Sequence, residues 1–202
     1  MITYNKKYYS TVPVTVSEWS EFFEELSDPQ LEVRVVGTNN SFPAYNPTQQ
    51  IETLYTMELV PVTEIKDVET LRTVRNECRM FMTRNQNELS VMDQAKWWGT
   101  LDTSKYQPFL VVNRWGFAEG FAAMAYEDDT VWVTAGLLPS SRGKGLGRAV
   151  FEELIRRARV QGYKRVMLDV LKTNIPAKNL YVKLGFTLTD ETPTTLVMCR
   201  DL

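Results

Sequence analysis

Residues 139–148, Pro139-Ser140-Ser141-Arg142-Gly143-Lys144-Gly145-Leu146-Gly147-Arg148, combine the residue types that hold an anion through main chain. Gly143, Gly145 and Gly147 carry no Cβ, so a ligand can come close to the backbone there. An apolar run, Val131 to Leu138, precedes the stretch, and an amphipathic run, Arg148 to Ala158, follows it. The pattern predicts strand, tight loop and helix. Amides at a helix start have no internal acceptor, and the helix dipole favours negative charge beside them. Phosphate is the ligand such a loop most often takes. Arg142, Lys144 and Arg148 add positive side chains. The spacing matches neither the P-loop nor the dinucleotide fingerprint. The ordinary structural alternative is a glycine turn that only joins two elements.

The chain contains no histidine. A His-based triad and a His-bearing zinc site are therefore excluded, and a metal site is not expected. Any general base must be a carboxylate, a tyrosine, a lysine or a water. Cys78 and Cys199 are the only cysteines, and both are expected to be reduced and buried.

The elements that position the loop follow from periodicity. Tyr55 to Val62 reads as a first strand. Val68, Leu71, Val74, Cys78 and Phe81 form a helical stripe, and Ser90-Val91-Met92-Asp93 opens a second helix through Trp98. Phe109 to Val112, Phe117 to Tyr126 and Val131 to Leu138 read as strands, with a turn at Asp128-Asp129. The helix from Arg148 buries Val150, Phe151, Leu154, Ile155 and Ala158. Arg165 to Leu171 is a strand with Val166, Leu168 and Val170 on one face. Residues 174–186 then form a helix, with Pro176 in its first turn and Gly185 as its C-terminal cap. Strands near Thr187–Thr189 and Thr195–Arg200 close the chain.

Residues 1–52 read as a separate β-α-β unit. Thr15-Val16-Ser17-Glu18 serves as a capping box, Trp19, Phe22, Phe23 and Leu26 form an apolar helical face, and Leu31 to Val36 alternates as a strand does. Gly37 to Gln50 is a loop or linker. The unit is either a lid packed on the main domain or a substrate or oligomer element, and an assembly as a homodimer is left open.

Over its 202 residues the chain is 44% hydrophobic and 24% charged, as in an ordinary globular protein. Its formal charge is −2, with residues 1–60 acidic and the remainder slightly basic. No strong basic excess exists, so a nucleic-acid partner is not expected. No apolar run approaches the ~20 residues of a membrane span, so no membrane partner is expected either. The first residues lack the apolar core of a secretory signal, which makes a cytoplasmic location the expectation.

Two motifs carry a family resemblance. Arg142-x-x-Gly145-x-Gly147 resembles the acetyl-CoA pyrophosphate loop of the GNAT superfamily of N-acetyltransferases. Asn174-x-x-Ala177-x-x-x-Tyr181-x-x-x-Gly185-Phe186 resembles the signature that follows the fifth strand of that family. The resemblance covers about residues 55–202 and divides the chain into an extension, 1–52, and an acetyltransferase domain, 53–202. It implies an α/β (α+β) fold: a mixed, mostly antiparallel twisted sheet flanked by helices, with its fourth and fifth strands splayed. It implies acetyl-CoA as acyl donor. The pantetheine arm would enter the gap and pair with main chain near Leu137 and Leu138. The pyrophosphate would sit on amides from Arg142 to Arg148, across Gly143, Lys144, Gly145, Leu146 and Gly147. Asn174 would contact the arm. Tyr181 would be the general acid that protonates the leaving thiolate, since an ordinary phenol, pKa ~10, holds its proton at neutral pH. The alternative for Tyr181 is a core tyrosine beside Ala177, Leu180 and Leu184.

The fourth strand, Thr130 to Leu138, carries no Glu or Asp where a base often lies in the family. Glu119, Glu127, Asp128 and Asp129 read as solvated charges, so a water relay or a neutral incoming amine would serve. For the acceptor, Arg75-Asn76, Gln94 and Trp97-Trp98 resemble the first two helices of members that acetylate amino sugars on nucleotide carriers or protein N-termini. Trp97 either stacks on a substrate ring or packs in the core. The expected function is transfer of an acetyl group from acetyl-CoA to a primary amine of a small molecule or peptide. The competing reading is a non-catalytic CoA-binding or protein-interaction module. A third, an ATP- or NAD-dependent enzyme, has the wrong glycine spacing.

Overall fold

A computed structural model describes residues 57–202, so the β-α-β unit and linker expected within residues 1–52 lie outside the described residues. Among the described residues seven strands form one sheet: β1 (Met57–Pro61), β2 (Tyr106–Asn113), β3 (Ala118–Glu127), β4 (Thr130–Leu137), β5 (Arg165–Leu171), β6 (Thr187–Glu191) and β7 (Thr195–Asp201). Four α-helices accompany them: α1 (Ile65–Glu77), α2 (Val91–Gly99), α3 (Leu146–Val160) and α4 (Ile175–Lys183). The sheet order is β1-β2-β3-β4-β5-β7-β6. Every neighbouring pair is antiparallel except β4 and β5, which run parallel.

Strand alternation separates two cores. Phe109, Val111, Ala122, Met124, Val131, Val133, Val166, Leu168 and Val170 face α3 and α4, where they meet Val150, Leu154, Ala158 and Leu184. Leu110 and Phe121 face the other way, onto Val68, Leu71, Val74 and Cys78 of the first helix. The first helix ends at Glu77, earlier than the apolar stripe suggests. Residues Arg79–Phe81 tighten into a 3-10 turn and leave Phe81 43% exposed. Of the two cysteines, both free, Cys78 is buried but Cys199 is only half-buried.

Local chemistry explains the helix ends nearest the site. Ser90 and Asp93 form a reciprocal capping box at the start of α2. At the end of α4, Gly185 takes φ of 81°. Its N–H donates to Val182 O, and the Phe186 N–H donates to Tyr181 O, both at 3.0 Å. That is the Schellman pattern, which needs a residue without a Cβ penalty at the left-handed position.

Candidate active site

The parallel pairing of β4 with β5 stops early. Thr130, Val131 and Trp132 pair with Arg165, Val166 and Met167, and no further residues of the two strands are joined. Leu138 N–H donates to Glu119 O on the β3 side at 2.9 Å. Antiparallel pairing alternates, so the main-chain groups of Val133, Ala135 and Leu137 face the opened side. A cavity of about 240 Å³ occupies this region, lined by Trp132, Thr134, Ala135, Asp169, Asn174 and Tyr181 among others.

Leu137 and Leu138 differ in what they can offer. Both main-chain groups of Leu138 are committed, the amide to Glu119 and the carbonyl to Ser141 N–H at 2.9 Å. Leu137 O accepts from Arg142 Nε at 2.9 Å and from Cys78 Sγ at 3.3 Å. What remains open toward the gap is the edge of Ala135 and the Leu137 amide. Arg142 is thereby turned away from the glycine loop, its guanidinium lying 4.7 Å from the centre of the Phe81 ring.

The loop itself presents a row of unpaired amides. The N–H groups of Gly143, Lys144, Gly145, Leu146 and Gly147 have no acceptor among the described residues. Gly143 and Gly145 take φ of 74° and 83°, and Gly145 is the left-handed N-cap of α3. Gly147 has ordinary φ, and a Cβ built there would lie 3.5 Å from Leu180 Cδ2 and 3.7 Å from Leu137 Cδ1. The fold therefore tolerates a methyl group at 147. Lys144 is exposed beside the loop. Arg148 is paired with Glu152 at 2.8 Å and lines a neighbouring basic groove with Arg156, Arg159, Lys183 and Arg200.

Asn174 caps α4, its Oδ1 accepting from Ala177 N–H at 3.3 Å, while its amide Nδ2 has no partner among the described residues. Tyr181 is 7% exposed. Its ring packs against Phe151 at 4.8 Å and Phe186 at 6.0 Å, yet it also reaches the cavity. Burial, reinforced by the negative charge of Asp169, pushes its phenol well above the ordinary tyrosine range. The group stays protonated at neutral pH.

The residues expected on the acceptor side separate. Arg75 lines the cavity and also a second one of about 270 Å³ next to it. Asn76 bonds locally. Its Oδ1 accepts from Leu89 N–H at 2.9 Å and its Nδ2 donates to Leu89 O at 3.0 Å, so both polar atoms pin the loop that follows α1. Trp97 packs edge-on against Tyr106, ring centres 6.1 Å apart, and lines only the second cavity.

Sequence reasoning missed Asp169, Arg84, Tyr106 and Trp132, which all line the first cavity. For Asp169 a signal existed. Val166, Leu168 and Val170 occupy one face of β5, so the carboxylate between them must face the other, on the strand expected to splay. Among the described residues no cluster of three or more metal-ligating side chains exists, and no helix is long and apolar enough to cross a membrane.

Known proteins share this architecture. A GNAT superfamily phosphinothricin acetyltransferase from Sinorhizobium meliloti, solved in complex with AcCoA, superposes with a TM-score of 0.62 at 20% identity, over 73% of this chain and 88% of that one. Spermidine N-acetyltransferase from Vibrio cholerae, solved with CoA and spermine, superposes with a TM-score of 0.63 at 15% identity, over 72% of this chain and 95% of that one. In sequence, streptothricin acetyltransferase of Streptomyces lavendulae is 33% identical over 81 residues, 39% of this chain and 43% of the relative. The chain thus spans about half the length of the curated relatives it matches. Residues 69–186 match the family model described as Acetyltransferase (GNAT) family. The splayed parallel pair, the amide cradle and this match together establish that the chain belongs to the GNAT acetyltransferase family.

Proposed function

We propose that this protein transfers an acetyl group from acetyl-CoA to a primary amine of a small molecule or peptide. The observation that carries the reading is the run of five amides, Gly143 to Gly147, without acceptors at the start of α3, beside a gap in the sheet. Such a row fits a pyrophosphate, because each N–H points at the ligand and the helix dipole favours its charge. The phosphinothricin acetyltransferase relative was solved with AcCoA, which supports acetyl-CoA as the acyl donor. The extended arm would run from the cradle into the gap, pairing with the Leu137 amide and the Ala135 edge, with Asn174 Nδ2 as a further donor.

The residues then have distinct tasks. Main chain on the β4 edge orients the thioester carbonyl, which lowers the entropic part of the barrier. The amine nitrogen forms a bond to the carbonyl carbon and the carbon–sulfur bond breaks. Tyr181 donates its phenolic proton to the departing sulfur and recovers one from the new amide nitrogen. Its raised pKa keeps it in the acid form that this step needs. Nothing on β4 is asked to act as base.

The test is an assay with acetyl-CoA and a broad panel of primary amines, read by mass detection of the acetylated product and by release of free thiol. Acetylated amine is the expected result. Tight binding of acetyl-CoA without turnover of any amine would instead favour a non-catalytic CoA-binding module.

A further inference from the structure

The first cavity opens on the sheet face that carries Trp132, Thr134 and Asp169, whereas Tyr181 is anchored in the core on the opposite face. The two reach a common space where β4 and β5 part. An amine therefore arrives from the Asp169 side and meets the acyl group in the gap. Among the described residues the charges lining the cavity are one carboxylate and two guanidinium groups, Asp169, Arg75 and Arg84.

Arg84 and Asp169 form one loose ion pair, which leaves a single carboxylate for two guanidinium groups. Arg84 Nε stands 3.6 Å from Asp169 Oδ2, longer than a hydrogen bond, and Arg84 is largely exposed at the cavity mouth. Asp169 is 24% exposed and keeps its accepting capacity. Arg75 donates to the main-chain carbonyls of Asn85 and Asn87 and has no carboxylate within ion-pair distance among the described residues. Burial, and then the charge of Arg79, lower its pKa, the mark of a cation removed from water without a counter-charge. A partly desolvated guanidinium of this kind is completed by an anion.

We infer that the acceptor is an amino-acid-like molecule, with its amine on Asp169, its carboxylate on Arg84 and Arg75, and an apolar side chain against Phe81, Tyr106 and Trp132. The inference rests on the acyl-transfer reading above. A polyamine would set a second ammonium against two guanidinium groups, and a simple amine would occupy Asp169 without supplying a carboxylate for Arg75. Asp169 also completes the proton balance. The incoming ammonium must lose two protons to become an amide. One passes to Asp169 and on to solvent as nitrogen attacks, and the other replaces the proton that Tyr181 gives to sulfur.

The experiment measures kcat/KM with acetyl-CoA for the common L-amino acids, their amides, the corresponding decarboxylated amines and spermidine. The acids should exceed the matched amines by about 10-fold or more, the size of a lost charge-assisted hydrogen bond. Arg84→Gln should narrow that ratio toward one, and Asp169→Asn should lower kcat for every acceptor. A ratio of one or below, or spermidine as the best substrate, overturns the carboxylate site and leaves acyl transfer standing. No product from any member also overturns the inference. The acyl-transfer reading is then decided separately by the broad amine panel, and it falls if that panel also gives no product or if thermal shift shows that acetyl-CoA does not bind.

Discussion

Trp132 faces Met167 in the last pair that joins β4 to β5. Beyond it the strands diverge, although each stays fully paired on its other side. All of β4 continues along β3, from Thr130 opposite Glu127 to Leu137 opposite Gly120. All of β5 continues along β7, from Arg165 opposite Asp201 to Leu171 opposite Thr195. The gap is thus a held opening rather than a frayed edge. It exposes main-chain donors and acceptors inside the sheet, which is an expensive arrangement unless a ligand or water pairs with them.

Gly147 and Gly145 separate ligand binding from folding. Gly147→Ala should fold with unchanged or slightly raised Tm, because φ is ordinary, the new Cβ meets only ordinary contacts, and alanine is the better helix residue. Its methyl group lies against Leu180 and Leu137, so acetyl-CoA affinity should change little, whereas Gly147→Glu, which adds a negative charge at the helix start, should weaken the Kd measured by calorimetry at least ~10-fold. Gly145→Ala, at φ of 83°, should lose about 1 kcal/mol of stability. Undiminished affinity in folded Gly147→Glu would locate the pyrophosphate elsewhere.

Tyr181→Phe keeps the ring against Phe151 and Phe186 and removes only the hydroxyl. The expected result in steady-state kinetics is a kcat lowered by at least ~10-fold with little change in acetyl-CoA affinity, since general acid catalysis acts in the transition state. A CoA thiol is a fair leaving group, so the loss can fall short of the full ~10⁴-fold range. A near-normal kcat on a good acceptor would make Tyr181 a packing residue.

The same substitution has an alkaline signature. The Tyr181 phenol is raised in the folded state, so the unfolded chain gives up this proton first as pH increases. Its contribution is fully present below the unfolded value of ~10 and is lost as pH climbs toward the higher folded value. Wild-type stability, followed by urea titration, should therefore fall more steeply above pH ~10 than that of Tyr181→Phe. Parallel curves would mean that the phenol is solvated.

On α3, Arg156 and Arg157 hold the Glu153 carboxyl at about 2, with the hydrogen bond from Arg156 the larger cause. Arg157 in turn donates to Leu59 O at 3.2 Å and stacks over Phe109, tying the helix to β1 and β2. A lowered folded pKa stabilises above the unfolded value and is lost as pH falls through about 2. After discounting for solvent screening, Glu153→Gln should cost about 1 kcal/mol at neutral pH. Between pH 4.5 and 2 that difference from wild type should vanish.

Asn76→Ala should lower stability by about 1–3 kcal/mol, because it leaves the Leu89 N–H without its partner in a half-buried loop and removes one of the two donors to Leu89 O, the other being Arg72 Nη1. Thermal or urea unfolding reads this directly. Acceptor KM should rise only through displacement of the loop that carries Arg84 and Asn85. A large KM effect with unaltered stability would return Asn76 to the substrate.

What the sequence determined by itself is what depends on neighbours along the chain. The glycine loop, the start of α3, the Pro176 and Gly185 limits of α4 and the alternation of β5 each rest on local backbone preferences. Those preferences act before the chain has any tertiary contact. The family resemblance added the mixed, mostly antiparallel sheet and its splay, which no local pattern contains, and the strand order came only with the structure. The tertiary structure decided where side chains spend their hydrogen bonds. Arg142 looks like a phosphate residue in the motif, yet its Nε goes to Leu137 O, and Asn76 goes to Leu89. Asp169 and Arg84 are far apart in sequence and meet at 3.6 Å only because β5 lies beside the opening in the folded sheet. Partner choice over such distances is set by packing geometry, where a side chain takes whichever acceptor the fold brings within reach.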